Sequence, residues 1–213
     1  MDIATYKLDE KQAIKSFVFT DVHDAIADRF EAEILARKRS FYNVFLDAIG
    51  ALADGGVCLD VGSSYGAQYF ALKKMFPNVK YKGVEVAPEY IKRFRARLAS
   101  GEAPDILLVD DYTDLSELPD NSCEVVTARS VLRHYTFEHG SKIIDEMLRV
   151  ASKAVVILFI TPPIHEKEIY TEAFGDWTGK GYFIEWEKAA WEKYLENKKV
   201  GKSDHELVVI LEK

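Results

Sequence analysis

Apolar residues recur along this chain with two different periods. Phe41, Val44, Phe45, Ala48, Ile49 and Leu52 follow the i, i+3, i+4, i+7, i+8, i+11 spacing that lays one apolar stripe along a helix. Gly55-Gly56 then ends that helix. Upstream, Ile26, Phe30 and Ile34 repeat every four residues and predict a second helix.

From Val57 onward, short apolar runs alternate with amphipathic stretches. Strands are predicted at Val57–Val61, Val79–Val86, Ile106–Val109, Glu124–Ala128 and Ala154–Ile160. Helices fall between them: Gly66 to Phe76, stopped by Pro77; Pro88 to about Ala99, opened by its proline; and one carrying Ile143, Ile144, Met147, Leu148 and Ala151 on one face. Strands this apolar, each followed by a helix, belong to a parallel sheet covered on both sides. The predicted fold is therefore α/β: a doubly wound, mostly parallel Rossmann-like sheet with helices on both faces. Residues 1–56 are read as an N-terminal helical extension or cap and 57–213 as the sheet-bearing domain, the whole forming one compact unit. Beyond the fifth strand, Thr161 to Phe183 reads as a long loop with a short helix because of Pro162-Pro163 and three glycines. Glu187 to Lys199 reads as a helix and His205 to Leu211 as a last strand, while Tyr182 to Trp186 stays undecided.

In an open parallel sheet, ligands bind beyond the carboxyl ends of the strands, near the point where strand order reverses. The residues directly after each strand therefore carry the functional signal. After the first comes Asp60-Val61-Gly62-Ser63-Ser64-Tyr65-Gly66, in which two glycines let backbone approach a ligand closely. Asp60 at the mouth of this loop would repel a pyrophosphate and attract an ammonium group. After the second strand, Glu85-Val86 places a carboxylate 23 residues beyond Gly62, where it can accept hydrogen bonds from both hydroxyls of a ribose. After the third, one carboxylate of Asp110-Asp111 can accept from an adenine amino group, and Tyr112 can stack on the base. After the fourth comes Arg129-Ser130-Val131-Leu132-Arg133-His134-Tyr135.

As an ordered set, these segments resemble the class I S-adenosylmethionine-dependent methyltransferases, in their small-molecule branch. Leu59-Asp60-Val61-Gly62-Ser63-Ser64-Tyr65-Gly66 is similar to the family's first motif, with Ser64 in place of the usual middle glycine. Gly83-Val84-Glu85-Val86-Ala87-Pro88-Glu89 resembles its acidic second-strand motif. Leu118-Pro119-Asp120-Asn121-Ser122-Cys123-Glu124-Val125-Val126 resembles the approach to its fourth strand. Val131-Leu132-Arg133-His134 resembles the segment after that strand, with Arg133 where an acidic residue is more usual. Met147-Leu148-Arg149-Val150 matches the helix before the fifth strand.

The resemblance implies S-adenosylmethionine as cofactor, S-adenosylhomocysteine as product, no metal, and methyl transfer to an O, N or C atom of a small molecule. It assigns cofactor binding to Asp60, Gly62, Ser63, Ser64, Gly66, Glu85, Val86, Asp110, Asp111, Tyr112 and Arg129. The acceptor side falls to Arg133, His134 and Tyr135, with Trp177 and Tyr182 in a lid. His134 is the candidate base, since imidazole titrates near neutrality, although a histidine that holds its loop by hydrogen bonds is the favoured reading of the same residue. Two other readings stand beside this one: a catalytically silent subunit of the same fold that binds the cofactor and a protein partner, and an NAD-dependent oxidoreductase.

Composition narrows the partners. Acidic residues outnumber basic ones 35 to 28, for a net charge of −7, so no overall field draws in nucleic acid or an anionic membrane. Lys92, Arg93, Arg95 and Arg97 spread around their helix without forming a stripe. Cys58 and Cys123, each within an apolar run, suggest reduced buried thiols. The start of the chain lacks an apolar leader, and the longest apolar run is seven residues, so the expected location is cytoplasmic. The oligomeric state is left open.

Overall fold

The computed structural model describes residues 32, 36, 40–159, 163, 166, 167, 169–173 and 181–213; of 169–173 and 181–183 it describes the backbone. The helix expected around Ile26, Phe30 and Ile34 lies outside these residues.

The helix α1 runs from Ser40–Leu52, and its stripe is buried through Tyr42, Phe45, Leu46 and Ile49. Strand β1 (Val57–Val61) leads to α2 (Ala67–Met75), and β2 (Lys80–Glu85) to α3 (Pro88–Ala96), whose proline sits in the first turn, where its missing N–H costs nothing. After β3 (Asp105–Leu108) comes β4 (Cys123–Arg129), then a 3-10 turn at Leu132–His134 and α4 (Phe137–Val150), capped by the Thr136 hydroxyl. Strand β5 (Ala151–Leu158) follows α4 directly. The chain then makes β6 (Ile169–Ala173), β7 (Gly181–Glu185), α5 (Lys188–Leu195), β8 (Lys199–Val200) and β9 (Val208–Glu212).

Seven strands form one sheet in the order β3-β2-β1-β4-β5-β9-β8. The first five are parallel, and β9 runs antiparallel to β5 and β8. Period-2 alternation sends neighbouring residues of each strand into opposite cores. Cys58, Val125 and Val156 face the layer built from α1 and α2, whereas Leu59, Val126 and Val155 face that of α4 and α5. α1 is thus one wall of the main core, with Phe45 and Ile49 fully buried.

The structure corrects three sequence expectations. The stretch expected as a long loop with a short helix contains β6, the segment left undecided at Tyr182 to Trp186 falls largely in β7, and the two strands pair antiparallel from Ile169↔Glu185 to Ala173↔Gly181. Tyr182-Phe183-Ile184 and Ile169-Tyr170-Thr171 are aromatic and β-branched, which favours strand, but the prolines and glycines around them masked the signal. The fifth strand begins at Ala151 rather than Ala154, because its first residues pair with β4 at Cys123 across a register shift. The expected helix to Lys199 stops at Leu195, and Lys199-Val200 instead extends the sheet edge against β9.

Candidate functional site

Strand order reverses between β1 and β4, the position from which crossovers leave to opposite sides and open a crevice at the strand ends. The loop after β1 is shaped by that geometry. Gly62 has a φ of 76°, and its N–H and that of Ser63 both donate to the Val84 carbonyl, at 2.9 and 3.1 Å. A Cβ on Gly62 would lie 2.3 Å from the Val131 side chain, so the loop lies tight against the segment after β4. Ser64 also takes a positive φ, of 50°, which explains why glycine suits this position better and why serine is strained but tolerated there. Gly66 caps α2 with its Cα against Phe94, whose ring a Cβ would meet at 2.3 Å.

Two carboxylates end the two adjacent strands, each only 2% exposed: Asp60 on β1 and Glu85 on β2. The Glu85 Oε1 accepts from the N–H groups of Val86 (2.9 Å) and Ala87 (3.1 Å) and from the Tyr112 hydroxyl (3.1 Å). Its Oε2 accepts from the Ser64 N–H at 2.8 Å, which leaves that oxygen capacity for a further donor. Burial raises the Glu85 pKa, and these donors hold it down. Asp60 is more sparsely bonded. Its Oδ2 accepts from the Tyr81 hydroxyl at 2.9 Å, while Oδ1 is buried with no partner. Burial drives the Asp60 pKa up to about 7, against the opposing pull of Arg129, Tyr81 and Thr127. An ionisable oxygen so placed suits a ligand that brings its own positive charge.

Arg129, at the end of β4, donates to the Tyr42 hydroxyl of α1 and lies 5.6 Å from the centre of its ring. Burial pushes the Tyr42 phenol up to about 12. Beneath the loop, Gln68 Nε2 donates to the Thr127 hydroxyl at 2.7 Å, which in turn donates to the Leu59 carbonyl. Ser63 is buried, and its hydroxyl has no partner.

Beyond β3, Asp110 is exposed and Asp111 half-buried. Asp111 Oδ1 accepts from the Thr113 N–H (3.0 Å) and lies 3.1 Å from His139 Nε2, whose ring stacks on Tyr135 with centroids 4.8 Å apart. Tyr112, expected to stack on a base, is 3% exposed and serves Glu85 through its hydroxyl. Val86 is buried beside it.

On the opposite side, the 3-10 turn presents half-buried Arg133 and His134. Burial lowers the Arg133 pKa to about 10, with Glu185 of β7 opposing. Tyr135 is buried, and its carbonyl accepts from the Trp186 indole at 2.9 Å. Trp177 and the side chain of Tyr182 lie outside the described residues.

The structure thus gathers Asp60, Gly62, Ser63, Ser64, Glu85 and Arg129 around the ends of β1, β2 and β4. Tyr42 joins them through Arg129 and Tyr81 through Asp60, and His139 stands beside Asp111 beyond β3, although no sequence motif singles these three out. Tyr81 stands two residues before Gly83, on the same strand face, opposite Cys58, a placement fixed by pairing register. Among the described residues, no group of three or more His, Cys, Asp or Glu side chains could hold a metal ion, and no helix is long and apolar enough to cross a membrane.

A family model described as a methyltransferase domain matches residues 59–159. No curated protein matches the chain in sequence. Many solved structures share its fold. The magnesium protoporphyrin IX methyltransferase of Synechocystis PCC 6803, solved with bound S-adenosylmethionine, is 17% identical, covers 96% of each chain and gives a TM-score of 0.58. An amino pentose methyltransferase from Micromonospora echinaspora, also with the cofactor bound, is 14% identical over 92% of this chain and 98% of its own, at a TM-score of 0.60. A protein of Pyrococcus horikoshii OT3 is 15% identical over 100% of this chain and 99% of its own, at 0.59.

Proposed function

We propose that this chain is a class I S-adenosylmethionine-dependent methyltransferase, a reading supported by the methyltransferase-domain match over residues 59–159, and that it transfers a methyl group from S-adenosylmethionine to an O, N or C atom of a small molecule. The observation that carries this reading is the pair of buried carboxylates at the ends of adjacent strands, one of them with an unpartnered oxygen. The residues fit the cofactor's donor set. Asp60 Oδ1 offers a desolvated anionic acceptor for the methionine ammonium. Glu85 Oε2 retains capacity for a ribose hydroxyl. Asp111, oriented by Thr113, is the acceptor for the adenine amino group. A dinucleotide would place its pyrophosphate against the same loop, where Asp60 repels it, so NAD fits poorly.

When bound, the cofactor supplies a methyl group already activated by its sulfonium. The chain's task is alignment, which in favourable systems is worth about 7–11 kcal/mol of barrier. Arg133, His134 and Tyr135, beyond β4, form the acceptor wall in this reading. His134 takes the acceptor's proton where the acceptor is an alcohol or ammonium. The magnesium protoporphyrin and amino pentose enzymes act on small molecules, in keeping with a small-molecule acceptor for this chain.

Calorimetric titration with S-adenosylmethionine, S-adenosylhomocysteine and NAD tests the proposal. Micromolar binding of the first two and none of NAD is the expected result. Binding of NAD in preference to both would overturn it.

A further inference from the structure

One contact at the site has no counterpart among the groups assigned to the cofactor. Cross-strand register places Cys58 opposite Tyr81 and Asp60 opposite Gly83. Asp60 therefore faces a neighbour with no side chain, and the Tyr81 phenol leans along β2 across that gap to reach it. A Cβ on Gly83 would lie 3.3 Å from the Tyr81 oxygen and 3.0 Å from the Ser63 Cβ, so the gap is already filled by those two side chains. The Tyr81 ring is fixed by edge contacts to Tyr69 and Phe94, with centroids 5.2 and 6.1 Å away. Its hydroxyl donates to Oδ2 of Asp60 at 2.9 Å, and Oδ1 is the oxygen left buried without a partner.

We propose that Tyr81 is a positioning residue for cofactor binding: its hydroxyl holds one oxygen of Asp60 and so presents the other to the ligand's ammonium. The inference rests on the proposed role of Asp60 as acceptor for that ammonium. The groups that face Asp60 are Cys58 from β1, Tyr81 and Glu85 from β2, Thr127 and Arg129 from β4, and Tyr42 from α1. Burial and the Glu85 charge favour the protonated acid, while Arg129, Tyr81 and Thr127 favour the carboxylate. Burial and the adjacent Asp60 also push the Tyr81 phenol well above its ordinary range, so it stays a donor at every working pH. Asp60 titrates at about 7, so the balance among these neighbours decides how much of the protein can bind a cation near neutrality. Removing one donor moves that balance, whereas a merely structural tyrosine would leave it untouched.

The test is the affinity for S-adenosylhomocysteine, which keeps the ammonium, measured by calorimetry between about pH 5.5 and 8.5. The proteins are the wild type, Tyr81→Phe and Gly83→Ala, with Asp60→Asn as the reference in which only the ligand's own titration remains. In the wild type the affinity is expected to rise with pH to a plateau, with a midpoint near 7. In Tyr81→Phe, the ring packing is kept and the midpoint moves up by about one pH unit, for a net hydrogen bond of ordinary strength. Affinity at neutral pH then falls about three- to tenfold and recovers at the alkaline end. Gly83→Ala, whose Cβ would press on the Tyr81 oxygen at 3.3 Å and on the Ser63 Cβ at 3.0 Å, is expected to move the midpoint in the same direction and serves should Tyr81→Phe fail to fold. An unmoved midpoint in a folded variant, or a flat wild-type profile, overturns the inference while leaving the cofactor assignment standing. Absence of binding at every pH overturns both.

Discussion

Asp60 and Glu85 are both buried carboxylates, and they differ in how far they are satisfied. Glu85 already receives four hydrogen bonds, three of them from backbone, so it serves the fold as well as the proposed ribose. Asp60 is held on Oδ2 by the Tyr81 hydroxyl, and its Oδ1 has no partner. Removing the two side chains should therefore have different consequences. Asp60→Ala is expected to cost at least about tenfold in S-adenosylhomocysteine affinity while leaving the unfolding transition close to the wild type's, because a costly buried acid is lost with it. Glu85→Ala is expected to weaken binding and also to lower stability by about 2–3 kcal/mol, since the N–H groups of Ser64, Val86 and Ala87 lose their acceptor. Equilibrium denaturation beside calorimetry separates the two patterns, and equal stability losses would contradict this division of roles. His134→Ala makes a third case at this scale. If the imidazole accepts the proton, turnover on an alcohol or amine acceptor falls by about 10²–10⁴-fold with cofactor affinity unchanged. Wild-type turnover would return His134 to a structural role.

At the scale of elements, the loop from β1 to α2 decides whether a site exists at all. Its conformation depends on Gly62, where φ is positive and a Cβ would collide with Val131. Gly62→Ala combines left-handed strain with that collision, so a loss of about 1–3 kcal/mol in stability and a large loss of cofactor affinity are expected. Substitution at Gly55, also left-handed but with nothing within 4 Å of a built Cβ, should cost only the backbone strain and leave affinity unchanged. The denaturation midpoints of the two variants, with their S-adenosylhomocysteine affinities, check the contrast.

Elements also differ in how plainly the sequence displays them. β1, β4 and β5 were legible because strands buried on both faces are apolar along most of their length, and α4 because its buried face carries Ile143, Ile144 and Met147 at helical spacing. The hairpin of β6 and β7 was hidden by its Pro- and Gly-rich surroundings. β8, two exposed residues long, carries no pattern of its own and exists through pairing with β9. For the site, the carboxylates at strand ends were visible because chain order alone places them there. The partners Tyr81, Tyr42 and His139 depend on register and on which helix lies across the sheet, and those are settled only by tertiary packing.

For the whole molecule, the unusual Asp60 couples folding, ligand binding and pH. Its folded pKa of about 7 lies well above the ordinary carboxylate value of 3.8. Between those values the folded chain holds a proton that the unfolded chain releases, so the folded state binds more protons. This group's contribution to stability is therefore fully present below about pH 4, is lost as pH rises toward 7, and is level above it. A shift of that size is worth about 1–4 kcal/mol, and other groups titrate over the same range. The contribution of Asp60 is isolated by comparing the wild type with Asp60→Asn, which keeps the shape and cannot ionise. The stability of the wild type relative to Asp60→Asn is expected to fall steadily from about pH 4.5 to 7 and then stay constant, as read from urea denaturation at each pH. A cationic ligand reverses the trend, because it binds the ionised form and its binding energy appears as added stability. Saturating S-adenosylhomocysteine should accordingly raise the melting temperature more at about pH 8 than at about pH 6 in the wild type, and equally at both in Asp60→Asn. An equal rise at both pH values in the wild type would mean that the ligand's ammonium is met elsewhere than at Asp60.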